Sequence, residues 1–187
     1  MILSDRAIKE KIKDGSIVIE PFSEEFLQPA TYDLHLDKYF LVFNKESVAM
    51  IDVKKKQDKL MREIKVSEKE GFIIHPGEFV LANVKEITGV DDTHVGRLEG
   101  KSSLGRIGLI VHATAGFLDP GNKLRMTLEL ANVSPLPIKI YPGMKIAQMA
   151  FEVLDGKCER PYGTKSLKNK YAGDLKVKGS QMWKNFK

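Results

Sequence analysis

Pro-Gly turns set the pattern of this sequence. They occur at 75–77, 119–121 and 141–143, and the first and last of them each precede an apolar run. Proline fixes φ and glycine supplies a positive φ, so these tripeptides predict tight turns. The runs between turn signals are short and rich in β-branched or aromatic residues, which predicts strands at 16–19, 39–43, 71–74, 78–84, 109–112, 125–130, 138–140 and 146–153. Many short strands separated by such turns predict a mainly β chain, folded as an antiparallel barrel or a jelly roll.

Helical patterning is confined to the start of the chain. Ser4 is a suitable N-cap, Ile8 and Ile12 stand four residues apart, and Gly15 can end the helix. This pattern predicts one helix over residues 5–14. A charge-dense stretch, 54–69, is predicted to form a solvated loop.

The positive charge of the chain lies at its C-terminal end. The 187 residues carry a net charge of +5, yet residues 155–187 hold nine Lys or Arg and three Asp or Glu, and residues 1–154 have a net charge of −1. A general nucleic-acid binder spreads positive charge over a folded face. The sequence therefore predicts a barrel domain over 1–154 and a basic tail over 155–187. The tail could close over a small polyanion, or it could bind nucleic acid.

Cysteine content and hydropathy indicate the compartment. The only cysteine, Cys158, excludes a disulfide framework and fits a reducing compartment. No run approaches the roughly 18 apolar residues of a membrane helix, and the first residues do not have the pattern of a secretory leader. We expect a cytoplasmic protein that does not bind membranes.

A polar segment at 100–106 has the composition of a phosphate-binding loop. It reads Gly100-Lys101-Ser102-Ser103-Leu104-Gly105-Arg106. Such a segment can offer N–H and O–H donors and positive charge to phosphate oxygens. It lacks the Gly-Lys-Ser/Thr order of a Walker A loop. A polar surface turn before a strand is the alternative, and the loop alone does not exclude it.

Three titratable residues follow this loop. Asp119 precedes Pro-Gly and is either a turn former or a site residue, and His112 ends an apolar strand, where a structural role is common. Glu129 stands in the middle of an apolar strand, and alternation places it on the same face as Thr127. That face is either exposed to solvent or directed into a pocket, where Glu129 could transfer protons.

Taken together, these segments resemble the dCTP deaminase branch of the trimeric dUTPase superfamily. The resemblance covers nearly the whole chain through Leu-Ser-Asp at 3–5, Leu-Gln-Pro-Ala-Thr-Tyr-Asp-Leu at 27–34, and the segments 101–109, 112–121, 128–130, 142–144, 160–162 and 170–171. It implies a dUTPase-like distorted β-barrel or jelly roll in a homotrimer, with active sites at subunit interfaces. It also implies deamination without a protein-bound metal. Zinc deaminases use His-x-Glu with Pro-Cys-x-x-Cys, which a chain with one cysteine cannot supply.

The resemblance assigns roles to individual residues. Glu129 is implied to be the general base and acid, Ser102 and the Ala115 carbonyl to hold the attacking water, and Arg106 to place positive charge near the ring. The residues implied to bind dCTP or dUTP are Lys101, Ser102, Ser103, Leu104, Gly105, Arg106, Asp119, Thr127, Leu128, Glu129, Gln148, Tyr162, Lys170 and Asp174. The tail, with Tyr162 and Lys170, is implied to close over the triphosphate as a lid.

A second resemblance concerns the fate of dUTP. Gly116-Phe117-Leu118-Asp119, together with Gln148, is similar to the bifunctional branch that hydrolyses dUTP to dUMP. Asp119 would then position the attacking water, and Mg²⁺ would arrive on the triphosphate. The alternatives are a deaminase that releases dUTP, a plain dUTPase, and a non-catalytic β-barrel that binds nucleic acid. Inhibition by dTTP is a further property that the sequence leaves open.

Three positions depart from the family pattern. Relatives usually have an aromatic residue at the position of Asn122, a glycine at the position of Leu124 and a glutamine at the position of Asp174. The first two departures concern the packing under the sugar. The third places an acid in the lid, where we expect contact with the base or the sugar, unless the register of the tail is shifted.

Overall fold

Strands predominate in the computed structural model, which describes residues 1–187. The helices are α1 (Asp5–Lys13) and α2 (Ser102–Gly105), and the strands are β1 (Ile17–Glu20), β2 (Tyr32–Phe43), β3 (Met61–Lys65), β4 (Phe72–Ile74), β5 (Phe79–Val84), β6 (Ile87–Val90), β7 (His94–Gly100), β8 (Leu109–Ile110), β9 (Phe117–Leu118), β10 (Lys123–Leu124), β11 (Thr127–Asn132), β12 (Ile138–Ile140) and β13 (Lys145–Val153). Short 3₁₀ turns span Glu24–Phe26, Lys165–Leu167 and Met182–Phe186. The prediction of a mainly β chain is confirmed.

The longest strand, β2, organises the main sheet. Its first part pairs with β13, where Tyr32 lies opposite Met149. Its second part lies between β3 and β5, so that Phe40 has Ile64 on one side and Ala82 on the other. The resulting eight-stranded sheet runs β8-β11-β5-β2-β13-β7-β9, with β3 beside β2. This order places β8 and β9 at opposite edges.

The segment between β8 and β9 closes the curled sheet. At one edge, the Val111 carbonyl accepts the N–H of Glu129 at 3.1 Å. At the other edge, the Gly116 carbonyl accepts the N–H of Leu98 at 2.7 Å, and Phe117 lies opposite Arg97. Residues 111–116 therefore connect the two edges. Unpaired edge groups would otherwise face solvent.

Two smaller sheets complete the packing, with the orders β1-β6-β10 and β4-β12. A core cluster of 28 buried residues lies among the sheets. Phe40 is fully buried and stacks on Phe72 with ring centroids 4.4 Å apart. This contact joins β2 of the main sheet to β4.

The predicted N-terminal helix is confirmed and ends one residue early, at Lys13. The Ser4 hydroxyl accepts the Ala7 N–H at 3.4 Å, Ile8 is fully buried, and Gly15 has φ +83°. Since α1, the longer helix, has nine residues, neither helix reaches the roughly 20 residues needed to span a bilayer.

The prediction of a loop over 54–69 is wrong in part, because Met61–Lys65 forms β3 and pairs with β2. Met61 and Ile64 are partly buried, whereas the charged residues between and after them are exposed. The charged side chains therefore lie on both faces of a strand that pairs with β2 on one side. The strands β6, β7 and β9 were not predicted either, nor was the short β10.

Replacing Phe40 with alanine tests the contact between β2 and β4. We expect Phe40→Ala to lower the free energy of unfolding by about 3–5 kcal/mol, because it leaves a cavity in a fully buried site. Urea unfolding at one fixed protomer concentration measures the change. Ile51→Ala, at a side chain 54% exposed, is the control and should stay within about 0.5 kcal/mol. Equal effects of the two substitutions would contradict the packing described.

Candidate active site

The predicted phosphate loop forms the short helix α2 at the end of β7. Lys101 is its N-cap residue, and the Leu104 and Gly105 N–H groups donate to the Lys101 carbonyl at 2.9 and 3.0 Å. Ser102 and Ser103 are exposed in the first turn, where helical N–H groups have no partner within the helix. Hydroxyl and N–H donors are therefore available to an anion at this turn.

A buried carboxylate lies behind this loop. Asp33, on β2, is 2% exposed and is paired with Lys101 at 2.5 Å and with Lys145 at 3.0 Å. Burial opposes the ionisation of Asp33, but the two ammonium groups outweigh it and hold the pKa of Asp33 below its usual value. We name Asp33, Lys101 and Lys145 the lysine cluster. It fixes the start of α2 against β2 and β13.

The side-chain amide of Gln148, on β13, links the residue before β2 to the end of β7. Its oxygen accepts from the Thr31 hydroxyl at 3.3 Å, and its nitrogen donates to the Gly100 carbonyl at 3.2 Å. The predicted residues Gln148 and Lys101 therefore lie in one region with Ser102.

Glu129 lies on β11 and is held by the closing segment. One carboxylate oxygen accepts the N–H groups of Ala113 at 2.9 Å and Thr114 at 3.0 Å. The other oxygen accepts no hydrogen bond within the chain. Alternation is as predicted, since Thr127 and Glu129 share a half-buried face. Glu129 thus has an oriented carboxylate with one oxygen free of hydrogen bonds. Ala115, whose carbonyl was predicted to hold the water, follows the two residues that bind this carboxylate.

Asp119 begins the Pro-Gly turn between β9 and β10, two strands that pair with β7 and β6 and not with each other. For the reversal of the chain there, we name residues 119–125 the hairpin. Burial raises the pKa of its carboxyl group, and the tail covers the hairpin that carries it. The Tyr162 N–H donates to the Pro120 carbonyl at 2.8 Å, and burial likewise raises the pKa of the Tyr162 hydroxyl. The Asp174 carbonyl accepts the Arg125 N–H at 2.9 Å. Tail residues thus lie against the hairpin of the same chain.

Within one chain, the predicted site residues form two groups. The first, the α2 group, contains Lys101, Ser102, Ser103, Gly105, Arg106 and Gln148; the second, the hairpin group, contains Ala115, Asp119, Thr127, Glu129, Tyr162, Lys170 and Asp174. No hydrogen bond or ion pair joins Ser102 or Arg106 to Glu129. Arg106 is exposed and has no ion-pair partner. Each group alone lacks half of the predicted chemistry.

Some of the predicted site residues have buried side chains, so that only part of the residue is accessible to a ligand. Leu128 is fully buried, so only its main chain could contact a nucleotide, and Leu104 packs against the core. Gly116 is buried, and a Cβ there would lie 3.0 Å from the Leu98 carbonyl oxygen. Phe117 is 63% exposed. Glycine at 116 therefore permits the close approach that sheet closure requires.

Sequence reasoning did not assign Asp33 or Lys145 to the site. The available signal was an acid inside the buried run Tyr32–Leu36, since a buried carboxylate needs a partner. The partners themselves, on α2 and β13, carry no local signal. No group of three or more His, Cys, Asp or Glu side chains that could hold a metal ion occurs in the chain.

The curled, edge-closed sheet defines the class of protein. The structure is similar to that of the 2'-deoxycytidine 5'-triphosphate deaminase from Agrobacterium tumefaciens, with a TM-score of 0.63 and 20% sequence identity over 80% of this chain. The match covers 46% of that longer chain. At this identity the likeness shows a shared fold, which is mainly β as predicted.

Sequence comparison identifies the family. A sequence model described as dCTP deaminase-like matches residues 2–154, and the chain belongs to this family. A Corynebacterium glutamicum (strain R) protein named "dCTP deaminase, dUMP-forming" is 47% identical over 186 residues, covering 100% of this chain and 98% of its own length. A Salinispora tropica protein of the same name is 45% identical, with 100% and 97% coverage. The resemblance found from the motifs is confirmed.

Removing the buried carboxylate tests the lysine cluster. We expect Asp33→Asn to cost about 1–3 kcal/mol of stability at neutral pH, because it leaves two ammonium groups facing an uncharged side chain; their partial exposure reduces the cost. The pKa of Asp33 is lowered in the folded state, so its contribution is complete above the ordinary value of 3.8 and is lost as pH falls through the folded value.

Urea unfolding of both proteins across this pH range measures the difference. The gap between wild type and Asp33→Asn should narrow as pH falls. Asp58→Asn removes an exposed partner of Lys56 and is the control, with little effect at any pH. A gap that does not change with pH would contradict the ion-pair description.

Proposed function

We propose that this protein deaminates dCTP and hydrolyses the resulting dUTP to dUMP and diphosphate. The observation that carries the proposal is full-length identity of 45–47% to relatives named for this dUMP-forming reaction. The positions of Ser102, Arg106, Glu129 and Asp119 are consistent with it. We place the reaction in the cytoplasm, since a single cysteine fits a reducing compartment.

Deamination needs a base, an oriented water and a proton donor. The free oxygen of Glu129 takes a proton from a water held by the Ser102 hydroxyl and the Ala115 carbonyl, and the water oxygen attacks C4 of cytosine. Glu129 gives this proton to the ring nitrogen, then takes the remaining proton from the new C4 hydroxyl and gives it to the amine, which leaves as ammonia, so that dCTP and water give dUTP and ammonia. The N–H groups of Ala113 and Thr114 hold the carboxylate in one orientation throughout. Arg106 supplies positive charge where negative charge develops.

Hydrolysis uses the same pocket with a different acid. Asp119 positions a second water for attack on the α phosphorus, and diphosphate leaves, so that dUTP and water give dUMP and diphosphate. Gly116 and Phe117 give the segment before Asp119 the compact form of the bifunctional branch. Lys101, Ser102, Ser103, Gly105, Arg106 and Gln148 surround the triphosphate.

The arrangement of the carboxylates suits a magnesium ion that arrives bound to the triphosphate of the substrate. Asp33, the buried acid beside the phosphate loop, is occupied by Lys101 and Lys145. Without three acidic groups close together, the donor set suits Mg²⁺ held mainly by phosphate oxygens and water. When bound, that ion neutralises phosphate charge.

We further propose that the site is shared between copies in a homotrimer. No hydrogen bond or ion pair joins Ser102 or Arg106 to Glu129 within the chain, and in the proposed trimer Glu129 of one copy would meet Ser102 and Arg106 of the next. Exposed apolar side chains at the closed edge, such as Ile107, Phe117 and Val133, supply contact surface between copies. Tyr162 and Lys170 of the tail then close over the triphosphate.

Product analysis tests the function. Incubated with dCTP and Mg²⁺, the protein should release ammonia and diphosphate in equal amounts while dUMP accumulates. Ammonia with accumulating dUTP would reduce the function to deamination alone. Diphosphate from dUTP without ammonia from dCTP would indicate a dUTPase. Salt-sensitive oligonucleotide binding without turnover would indicate a binding module.

Mixed trimers test the shared site. Glu129→Gln and Ser102→Ala should each lower dCTP turnover, the former by about 10²- to 10⁴-fold, because it removes the proton-transfer group. Co-expression with two affinity tags should yield mixed trimers that regain activity, since about one in three shared sites of a mixed cyclic trimer contains both intact residues.

The pair Ser102→Ala and Arg106→Ala is the control for this experiment. Both residues belong to the α2 group, so every shared site keeps at least one defect when these two subunits are mixed and activity should stay low. Recovery in neither pair would show that Glu129 and Ser102 act within one chain.

A further inference from the structure

We infer that Asn122 is the side chain that fastens the tail lid to the substrate hairpin, as a positioning residue for the closed site. The inference rests on the proposed function for its kinetic consequences, but the contact itself is independent of activity. The oxygen of the Asn122 side-chain amide can accept hydrogen bonds from backbone N–H groups.

The hairpin offers a rigid support for this contact. The Gly121 N–H donates to the carbonyls of Val90 and Asp91 at 3.1 and 3.0 Å, and the Asn122 carbonyl accepts the Val90 N–H at 3.1 Å. The Asn122 N–H donates to the Asp119 carbonyl at 3.1 Å. The backbone at Asn122 is therefore fixed by β6 on one side and by its own turn on the other.

The Asn122 side chain points from this support to the tail. The residue is 5% exposed, and its amide oxygen accepts the N–H groups of Lys123 at 3.0 Å and Gly173 at 3.3 Å. Gly173 has φ +69°, a conformation that favours glycine. The bond therefore joins two positions whose geometry is already set by their own backbones.

Three hydrogen bonds attach the lid to the hairpin. Two are main-chain bonds, from Tyr162 to Pro120 and from Arg125 to Asp174. The third is the bond from Gly173 to Asn122, which alone depends on a side chain. The lid segment 163–172, which carries Lys170, lies between these attachments. Loss of the side-chain bond leaves only the main-chain bond from Arg125 to Asp174 at that end, so we expect the segment to open more often.

Limited trypsin digestion without nucleotide is the direct test. In Asn122→Leu, which is similar in size but accepts no hydrogen bond, cleavage after Lys165, Lys168 and Lys170 should be faster by about five- to tenfold, since cleavage follows the open fraction. Asn122→Asp keeps an acceptor oxygen and should remain within about twofold of wild type. Cleavage in the loop between β2 and β3 is an internal reference and should not change.

Two further measurements separate lid fastening from a general structural effect. The thermal midpoint of the barrel should be nearly the same in wild type and Asn122→Leu. Asn185→Leu, an exposed substitution in the tail but outside the segment 163–172, should leave cleavage in that segment unchanged. The KM for dCTP should rise by no more than the factor by which lid cleavage becomes faster, and kcat should stay within about twofold. The reason is that a partly open lid lowers the fraction of the protein that can bind substrate.

Each result decides the inference. Lid cleavage at the wild-type rate in Asn122→Leu overturns it, as does faster cleavage of lid and reference loop together, which would indicate a weakened barrel. Faster lid cleavage alone, reversed in Asn122→Asp, supports it. If wild-type protein does not turn over dCTP, the proposed function fails, and the proteolysis still decides whether Asn122 holds the tail.

Discussion

Closure of the main sheet is the constraint on which the rest of this structure depends. The segment between β8 and β9 joins the two edges through the Val111 and Gly116 carbonyls. The N–H groups that remain in the middle of that segment, at Ala113 and Thr114, are the ones that hold the Glu129 carboxylate. The segment that connects the two edge strands therefore also orients the proposed catalytic acid.

Charge is divided between structural and available groups. Lys101 and Lys145 are committed to Asp33, so they fix the phosphate loop and contribute less free positive charge than the sequence suggests. Arg106 on α2 and Lys170 in the tail have no ion-pair partner within the chain. Because the barrel is nearly neutral, the charge that a triphosphate would meet comes from these groups and from the basic tail.

Local patterns predicted the elements that have strong local signals. The capped helix, the Pro-Gly turns and strands such as β5, β11 and β13 were found because each carries its own periodicity or turn chemistry. The strand β9 was missed because two residues are too few for a period, and β3 was missed because charged side chains lie on both of its faces. The Asn122 contact escaped for a different reason, since its partner Gly173 lies 51 residues away.

The sequence by itself determined the family and the chemical groups, because motifs such as Lys101–Leu109 and 112–121 are local and specific. Only the tertiary structure decided which of those groups lie together. It attached Glu129 to the N–H groups of Ala113 and Thr114, paired Asp33 with two lysines, and laid the tail against residues 119–125 of its own chain. The physical reason is that strand register and sheet closure bring distant residues into contact, and no local pattern of residues encodes those pairings.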